Sequence, residues 1–271
     1  MIKIENTKVF NFEGAFRGLR NPKNSWHLSD SKYGTIDFNW DDEDLEDAVS
    51  SYIPYDSDED ENNENEEKRQ ETRDWLADNG QVLEDEHIYS YNYLGKKDLD
   101  LAQRMINGGT DESKFMRQIF VSFDINAPLY WWKEFDTYKV GTVANSCSTM
   151  HKIHAKEFTL DDFSHEHLIS TMGETYEAVD VLEEVITALN NNRANFLETK
   201  DKIYWWQMIQ LLPSSYNQKR TITLNYQVLR AMYFARRHHK LDEWHDFCNW
   251  IETLPYAKEL ICYEKKKENK E

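Results

Sequence analysis

Apolar residues recur with helical spacing in four stretches of the chain, which are residues 97–107, 168–191, 201–212 and 227–239. The first predicted helix ends at the pair Gly108-Gly109, and Pro213 ends the third. We expect the second to end at the run of three asparagines, 190–192. The positions predicted to face inward are Leu99, Ala102, Met105 and Ile106; Ile169, Met172, Tyr176, Val179, Leu182, Val185, Ile186 and Leu189; and Leu229, Met232, Tyr233 and Ala235.

Apolar residues at every second position, Ile119, Val121, Phe123 and Ile125, predict a β-strand with at least one buried face. Pro128 follows this strand and favours the first turn of a short helix that extends to Phe135. Residues 221–224 fit either a strand or an extended entry to the fourth helix. Residues 1–40 are mixed, and we expect short strands or loops that pack on the main domain.

One segment carries most of the net charge of the protein. The chain has 50 Asp and Glu against 32 Lys and Arg, a net charge of −18, and residues 41–67 contain fourteen of the acids and no base. The rest of the chain is therefore nearly balanced, and its aromatic content of 14% suffices for a core. We predict an acidic, flexible insertion at 41–75 between an amino-terminal segment, 1–40, and a main domain, 76–260, followed by a charged tail, 261–271.

Composition also argues against several classes of protein. A strongly acidic chain does not grip nucleic-acid phosphates through bulk charge, so we expect no direct contact with nucleic acid. No apolar run approaches the roughly 20 residues of a membrane span, so we expect a cytoplasmic protein without a membrane segment. Three cysteines without CxxC spacing favour neither a disulfide framework nor a thiolate zinc site.

Two other groups of residues are candidates for chemistry. Histidines occur close together at 151 and 154, at 165 and 167, and at 238, 239 and 245, but no group has the spacing of a complete metal site, and we predict none. The tryptophan pairs 131–132 and 205–206 either stack on a ring of a ligand or fill a core or an interface.

Three stretches, taken in order, resemble the motifs of the flavin-dependent thymidylate synthases. The first, residues 101–124, is similar to a helix, an HxSPFEH-like loop and the strand that leads to the family signature. The third contains Leu212-Pro213, Thr223-Leu224-Asn225 and the pair Arg236-Arg237 before Trp244, and resembles the LP, TxNxRxL and LR…QWE motifs. The resemblance covers residues 97–250 by order and spacing more than by identity.

The second stretch, residues 138–151, corresponds to the signature RHRxxSxNxxSxRY in a degenerate form. Asn145 and Ser148 coincide with the signature in an ungapped match. A match that starts one residue earlier places Lys139 at the third position and Thr142 at the serine position, but then requires an insertion before Asn145. Motif positions that are cationic in the family carry other residues here: Tyr138, Val140, Met150, Ile209 and Gln227.

The resemblance implies an α/β (α+β) fold, with an antiparallel sheet flanked by long helices, and a homotetramer whose sites lie between subunits. It implies FAD as the cofactor and methyl transfer to deoxyuridylate as the reaction, if the protein is active. The nucleotide-binding residues that it implies are Lys139, Asn145, Ser148, Asn225, Arg236 and Arg237. Counting from Asn225 matches Arg236 to the family's nucleotide-binding arginine, whereas counting back from Trp244 matches Arg237; alternatively, the pair is a solvated basic helix end.

The missing cations bear directly on function. A hydrogen bond to a charged group contributes about 1.5–3 kcal/mol, so loss of three arginines removes roughly 5–9 kcal/mol if the effects add. This loss is comparable with the binding free energy of a micromolar ligand, about 8 kcal/mol. We therefore expect a nucleotide-binding protein in which catalysis is lost. The alternative is a non-enzymatic acidic protein, a nucleic-acid mimic or inhibitor on the same fold, whose residues 41–67 bind a basic partner.

Overall fold

The computed structural model describes residues 2–37, 81–82, 88–169 and 177–265, and these residues form two compact units. The first unit takes its described residues from 1–7, 122–224 and 236–247, and the second from 8–121, 225–235 and 248–271. The acidic tract lies outside the described residues. The predicted division at residues 40, 75 and 260 stays a prediction.

The described residues contain seven strands and eight α-helices, which are mixed along the chain. The strands are β1 (Lys3–Phe10), β2 (Lys32–Asp37), β3 (Gln81–Val82), β4 (Ile88–Tyr93), β5 (Phe120–Pro128), β6 (Val143–Ser146) and β7 (Asn217–Asn225). The helices are α1 (Phe12–Arg20), α2 (Lys96–Asn107), α3 (Leu129–Phe135), α4 (Thr149–Lys152), α5 (Ala178–Thr199), α6 (Lys202–Leu211), α7 (Tyr226–Arg236) and α8 (Asp242–Glu252). No helix within the described ranges is long and apolar enough to cross a membrane.

A four-stranded sheet with the order β1-β5-β7-β6 contributes most of its residues to the first unit. The expected alternation in β5 is confirmed, since Phe123 and Ile125 are buried while Asp124 and Asn126 are partly exposed. Residues 221–224 belong to the nine-residue strand β7, which pairs antiparallel with β6. The sheet therefore has one apolar face and one polar face.

Aromatic side chains cover the apolar face of this sheet. The ring centroids of Trp131 and Trp244 are 4.8 Å apart, and Phe123 on β5 lies 6.1 Å from Phe247 on α8. The pair 131–132 is fully buried here, so it fills a core. Pro128 is the residue before α3 and not part of its first turn, because its extended backbone still belongs to β5.

Helices α5 and α6 pack around a second cluster of apolar residues in the same unit, with Leu182, Leu189 and Met208 buried. The prediction of a helix over 168–191 is wrong at both ends. Residues 168, 169 and 177 are not helical, 170–176 lie outside the described residues, and α5 continues through the asparagine run to Thr199. Asn190 does not end the helix because its side-chain amide forms two hydrogen bonds with the backbone of Phe158, each 2.9 Å long.

The second unit contains α1, α2, most of α7 and a sheet of order β2-β4-β3. The expectation of strands or loops over residues 1–40 is wrong for α1, where four buried residues follow the helical spacing: Phe12, Ala15, Phe16 and Leu19. Two glycines hide this pattern, and at Gly18 a Cβ would lie 2.8 Å from the Gln118 side-chain oxygen, which would have to move. The buried carboxylate of Asp98 on α2 pairs with Arg20 at 2.5 Å.

The other two predicted helices of this unit are present, but some of the residues predicted to face inward are not buried. Helix α2 ends before Gly108 as expected, but its buried apolar residues are Leu101, Ala102 and Ile106, while Leu99 and Met105 are only partly buried. On α7, Ala235 is exposed, contrary to the prediction. The helical spacing explains this exposure: the buried face that includes Leu229, Met232 and Tyr233 comes round again at position 236, so Ala235 lies beside that face and not on it.

Candidate functional site

The signature-like segment forms a turn, a short strand and a helix start in the first unit. After α3, the chain turns through Lys139, whose carbonyl accepts a hydrogen bond of 3.3 Å from the amide of Thr142. Gly141 permits this turn, with φ of 81°. Strand β6 follows, and the Ser148 hydroxyl then caps α4 by accepting a hydrogen bond of 3.0 Å from the amide of His151. Lys139 is thus an exposed turn residue, and Ser148 begins a helix.

Asn145 lies on the polar face of the sheet. It is directly opposite Thr221 of β7 in the register, so the two side chains share a face. The Thr221 hydroxyl donates a hydrogen bond of 2.6 Å to Asp124 of β5, which also accepts one of 2.9 Å from Asn6 of β1. A row of polar side chains therefore crosses all four strands, and Asn145 is its exposed end.

A cleft of about 380 Å³ adjoins the same polar face, and Ser148 lines it. Cys147 and Thr149 flank Ser148 in the wall, so the cleft is built partly from the signature-like segment. Strands β1, β5 and β7 supply other residues of the lining. The charged groups of the lining are Lys3, Glu5, Lys156, Asp162 and Lys219.

Each lysine of the cleft is held by a carboxylate. Lys3 contacts Glu5 at 2.5 Å, and Lys156 forms an ion pair with Asp162. Lys219 is 3.2 Å from the Asp124 carboxylate, which is not itself part of the lining. The lining therefore contains three ammonium groups and two carboxylates.

Hydrogen bonds on the polar face favour the charged forms of Asp124 and Lys219. Hydrogen bonds from Thr221, Asn6 and Lys219 lower the pKa of Asp124 to about 2. The hydrogen bond to Asp124 and its negative charge raise the pKa of Lys219. At neutral pH this face therefore presents an ionised aspartate and a protonated lysine side by side.

Arg236 is held by a group of polar and aromatic side chains in the first unit. Its guanidinium donates hydrogen bonds to Glu134, at 2.7 Å, and to the hydroxyl of Tyr138, at 3.0 Å. It also lies 4.9 Å from the centre of the Trp244 ring. The Glu134 carboxylate accepts a further hydrogen bond of 3.2 Å from the Trp244 indole, and His239 lies 3.2 Å from the same oxygen. Tyr138, which stands at the first position of the ungapped signature match, thus binds Arg236.

The remaining predicted residues have different surroundings. Arg237 is half-buried in the turn after α7. Asn225, in the second unit, is buried and caps α7 through a hydrogen bond of 3.1 Å from the amide of Val228. Gln227, at a family arginine position, accepts a hydrogen bond of 2.9 Å from Ser113. The structure thus brings Asn145 and Ser148 to one polar surface, whereas Asn225 has a structural role in capping.

The other non-cationic motif positions are apolar. Val140, Val143 and Met150 are 91%, 67% and 47% exposed, which is unusual for three apolar residues in one short segment. Ile209 packs against the α5–α6 cluster. None of these four side chains offers a hydrogen-bond donor to a phosphate.

The cleft lysines were absent from the sequence prediction. Lys3 and Lys219 are 216 positions apart, and no motif of the family resemblance includes either of them or Lys156. The histidines and acids of the described residues form no group of three suited to a metal ion. Trp206 of the second tryptophan pair is 43% exposed, in contrast to the buried pair on α3.

The fold is similar to that of solved thymidylate synthases. A crystal structure of thymidylate synthase X (ThyX) from Helicobacter pylori with FAD and dUMP aligns over 96% of this chain and 96% of its own, with a TM-score of 0.55 and 14% identity. A UMP/dUMP methylase, PolB, from Streptomyces cacaoi bound with 5-Br UMP aligns over 62% of this chain and 86% of its own, with a TM-score of 0.46 and 14% identity. No family model matches the sequence, and neither does any curated protein.

The expected fold class is confirmed by the first of these structures and by the antiparallel pairing of the strands. The chain combines these strands with eight α-helices among the described residues, as a mixed α/β architecture requires. At 14% identity the likeness concerns the fold alone, because one fold supports many functions.

Proposed function

We propose that this protein is a divergent, nucleotide-binding protein with a flavin-dependent thymidylate synthase-like fold, and that it has lost methyl transfer to deoxyuridylate. The observation that carries the proposal is the polar cleft, which is lined by Ser148 of the signature-like segment and by three lysines. Its volume lies within the range of about 300–1,000 Å³ that small-molecule sites occupy. A mononucleotide with its anionic phosphate matches both the size and the donor groups.

The proposed binding residues are Lys139, Asn145, Ser148, Asn225, Arg236 and Arg237. Ser148 is the best supported of them because it lines the cleft, and Asn145 lies on the adjoining polar face. Arg236 already binds Glu134 and Tyr138, so a nucleotide must replace at least one of these partners to bind it.

Loss of catalysis is supported by the motif positions that lack cations. The exposed apolar side chains of Val140 and Met150 cannot replace charged donors, and Gln227 and Tyr138 have protein partners. FAD is the cofactor of the proposed ancestral reaction, but this cleft of about 380 Å³ has a volume and a set of lysines that suit a mononucleotide. We therefore propose that any bound flavin lies outside this cleft.

Binding of dUMP, with uridine as the control that lacks a phosphate, tests the proposed function. Calorimetry should detect dUMP binding that weakens with added salt, because a phosphate ligand interacts through charge. The visible absorption spectrum of the purified protein tests for flavin in the same sample. A colourless protein that binds neither dUMP nor UMP would contradict the proposal.

We further propose that the protein assembles as a homo-oligomer, a homotetramer by the family resemblance. The exposed apolar side chains of Val140, Val143 and Met150 support this assembly, because subunit contacts commonly cover such residues. Light scattering after gel filtration measures the mass directly. A mass of 32.4 kDa, that of one chain, would refute the assembly.

The second candidate function is an acidic protein that binds a basic partner. The fourteen acids of residues 41–67, without a single base, favour it. Deletion of this tract separates the two functions, since nucleotide binding should survive and salt-sensitive binding of a basic protein should disappear. Loss of dUMP binding upon deletion would contradict the cleft as the nucleotide site.

A further inference from the structure

Three lysines from separate parts of the first unit converge on the cleft beside Ser148. Lys3 belongs to β1, Lys219 belongs to β7, and Lys156 follows α4. None stands at a motif position where the family resemblance expects an arginine. The cleft that Ser148 lines therefore carries ammonium groups from elements outside the signature-like segment.

The carboxylates beside these lysines hold the ammonium groups in place without using all of their donors. An ammonium group has three N–H donors. Lys3 contacts Glu5, and Lys156 contacts Asp162. Lys219 lies 3.2 Å from Asp124 and 3.8 Å from Glu5, on a strand held in the sheet. Donors consequently remain on each lysine for a ligand.

Charge and hydroxyl groups both favour an oxyanion in this cleft. Three ammonium groups and two carboxylates line the cleft, and the third carboxylate, Asp124, pairs with Lys219 from outside the lining. Ser148 accepts a hydrogen bond from the His151 amide, so its own O–H group can donate to a ligand. Thr149 adds a second hydroxyl to the lining.

We propose that this cleft binds the phosphate group of a nucleoside monophosphate and that Lys3, Lys156 and Lys219 take the place of the family's arginines. The inference rests on the proposed function, because it states which part of the nucleotide enters the cleft and which residues bind it. Lysine binds phosphate as a point charge without the two parallel hydrogen bonds of arginine. Binding should therefore depend strongly on salt and tolerate changes in the base.

The first test compares Lys156→Met and Lys219→Met with the unchanged protein in calorimetric titrations of dUMP, inorganic phosphate and uridine. We expect each variant to weaken dUMP and phosphate binding about three- to tenfold, because these lysines are partly exposed. The double variant should weaken both by about thirtyfold, and Lys156→Arg should retain binding. Lys133→Met is the matched control, since Lys133 is an exposed lysine on α3 outside the cleft. Melting curves of all variants check that folding is unchanged.

The outcomes separate this inference from the proposed function. If dUMP binds the unchanged protein and both lysine variants equally, the lysine site is refuted and nucleotide binding stands. If phosphate binds in a lysine-dependent manner and dUMP binds no better than phosphate, the anion site stands and the nucleotide function is refuted. If none of the three probes binds, both are refuted.

Cys147 provides a second test that needs no added ligand. It is exposed and lines the cleft, whereas Cys248 is buried and Cys262 is half-buried. The alkylation rates of Cys147 with anionic iodoacetate and neutral iodoacetamide, measured by peptide mass spectrometry, report the local potential. The iodoacetate-to-iodoacetamide rate ratio should exceed that of free glutathione, fall about twofold or more in Lys219→Met, and stay unchanged in Lys133→Met. A ratio that is the same in all three proteins would overturn the proposed positive site.

Discussion

The ion pair between Glu134 and Arg236 determines whether Arg236 is open to a ligand, and a double-mutant cycle measures the strength of this pair. One oxygen of Glu134 receives a hydrogen bond from Arg236 at 2.7 Å and another from the Trp244 indole at 3.2 Å. The Glu134→Gln substitution keeps the shape of the side chain but removes its charge. The Arg236→Met substitution removes the partner, and the double variant closes the cycle.

The structure gives the expected size of this coupling. A hydrogen bond to a charged group contributes about 1.5–3 kcal/mol. The side chains of Glu134 and Arg236 are 34% and 19% exposed, so water weakens the pair only partly. We therefore expect a coupling free energy near the lower end, about 1.5 kcal/mol.

Urea unfolding, followed by tryptophan fluorescence and by circular dichroism, measures this coupling. Fluorescence is suited to the pair because Trp244 contacts both Glu134 and Arg236. The exposed pair Glu13–Arg17 on α1, at 3.7 Å, is the matched control and should show a coupling below about 0.5 kcal/mol. If the Glu134–Arg236 coupling is as small as that of the control, the pair does not hold Arg236, and the arginine is open to a nucleotide.

Three further predictions concern the stability of the fold. Asp98→Ala leaves the buried guanidinium of Arg20 without a counterion, and urea unfolding should show a loss of about 3–5 kcal/mol; a loss below about 1 kcal/mol would contradict a buried pair. Because the pKa of Asp124 is lowered to about 2, its stabilising effect is complete above its ordinary pKa and is lost as the pH falls from about 4 to about 2. Asp124→Asn should therefore flatten acid unfolding in that window, and an unchanged acid limb would show that the hydrogen bonds of Asp124 do not form. Asn190→Ala removes two hydrogen bonds to the backbone of Phe158 and should lower the free energy of unfolding by about 1–3 kcal/mol in the same urea assay. The control, Asn191→Ala, changes an exposed neighbouring position and should lower it by less than about 0.5 kcal/mol.

Local patterns in the sequence were sufficient for many of the elements. Alternation over 119–125 predicted β5, and apolar spacing with a following proline predicted α6, because both signals depend on neighbours within one element. Helix α1 escaped prediction because Gly14 and Gly18, which are poor helix formers, lie between the positions of its apolar stripe. The end of α5 was misplaced because Asn190 is satisfied by the backbone of Phe158, 32 positions away.

The candidate site divides in the same way. The sequence proposed Asn145 and Ser148 because they belong to one continuous motif; Ser148 lines the cleft and Asn145 lies on the polar face, and their role in binding stays a prediction. Glu134 was not predicted as the partner of Arg236, because the two residues are 102 positions apart. A motif indicates which residue types occur, but it does not show whether another part of the chain already binds them.

The sequence by itself determined the periodicity of the main elements, the location of the signature-like segment and the absence of arginines at its motif positions. Only the tertiary structure decided that Lys3, Lys156 and Lys219 line one cleft and that Arg236 is bound by Glu134. The physical reason is that hydrophobic spacing acts within a few residues, whereas charge acts through space. Strand pairing across the sheet β1-β5-β7-β6 brings Lys3 and Lys219, which are distant in sequence, to the cleft that Ser148 lines.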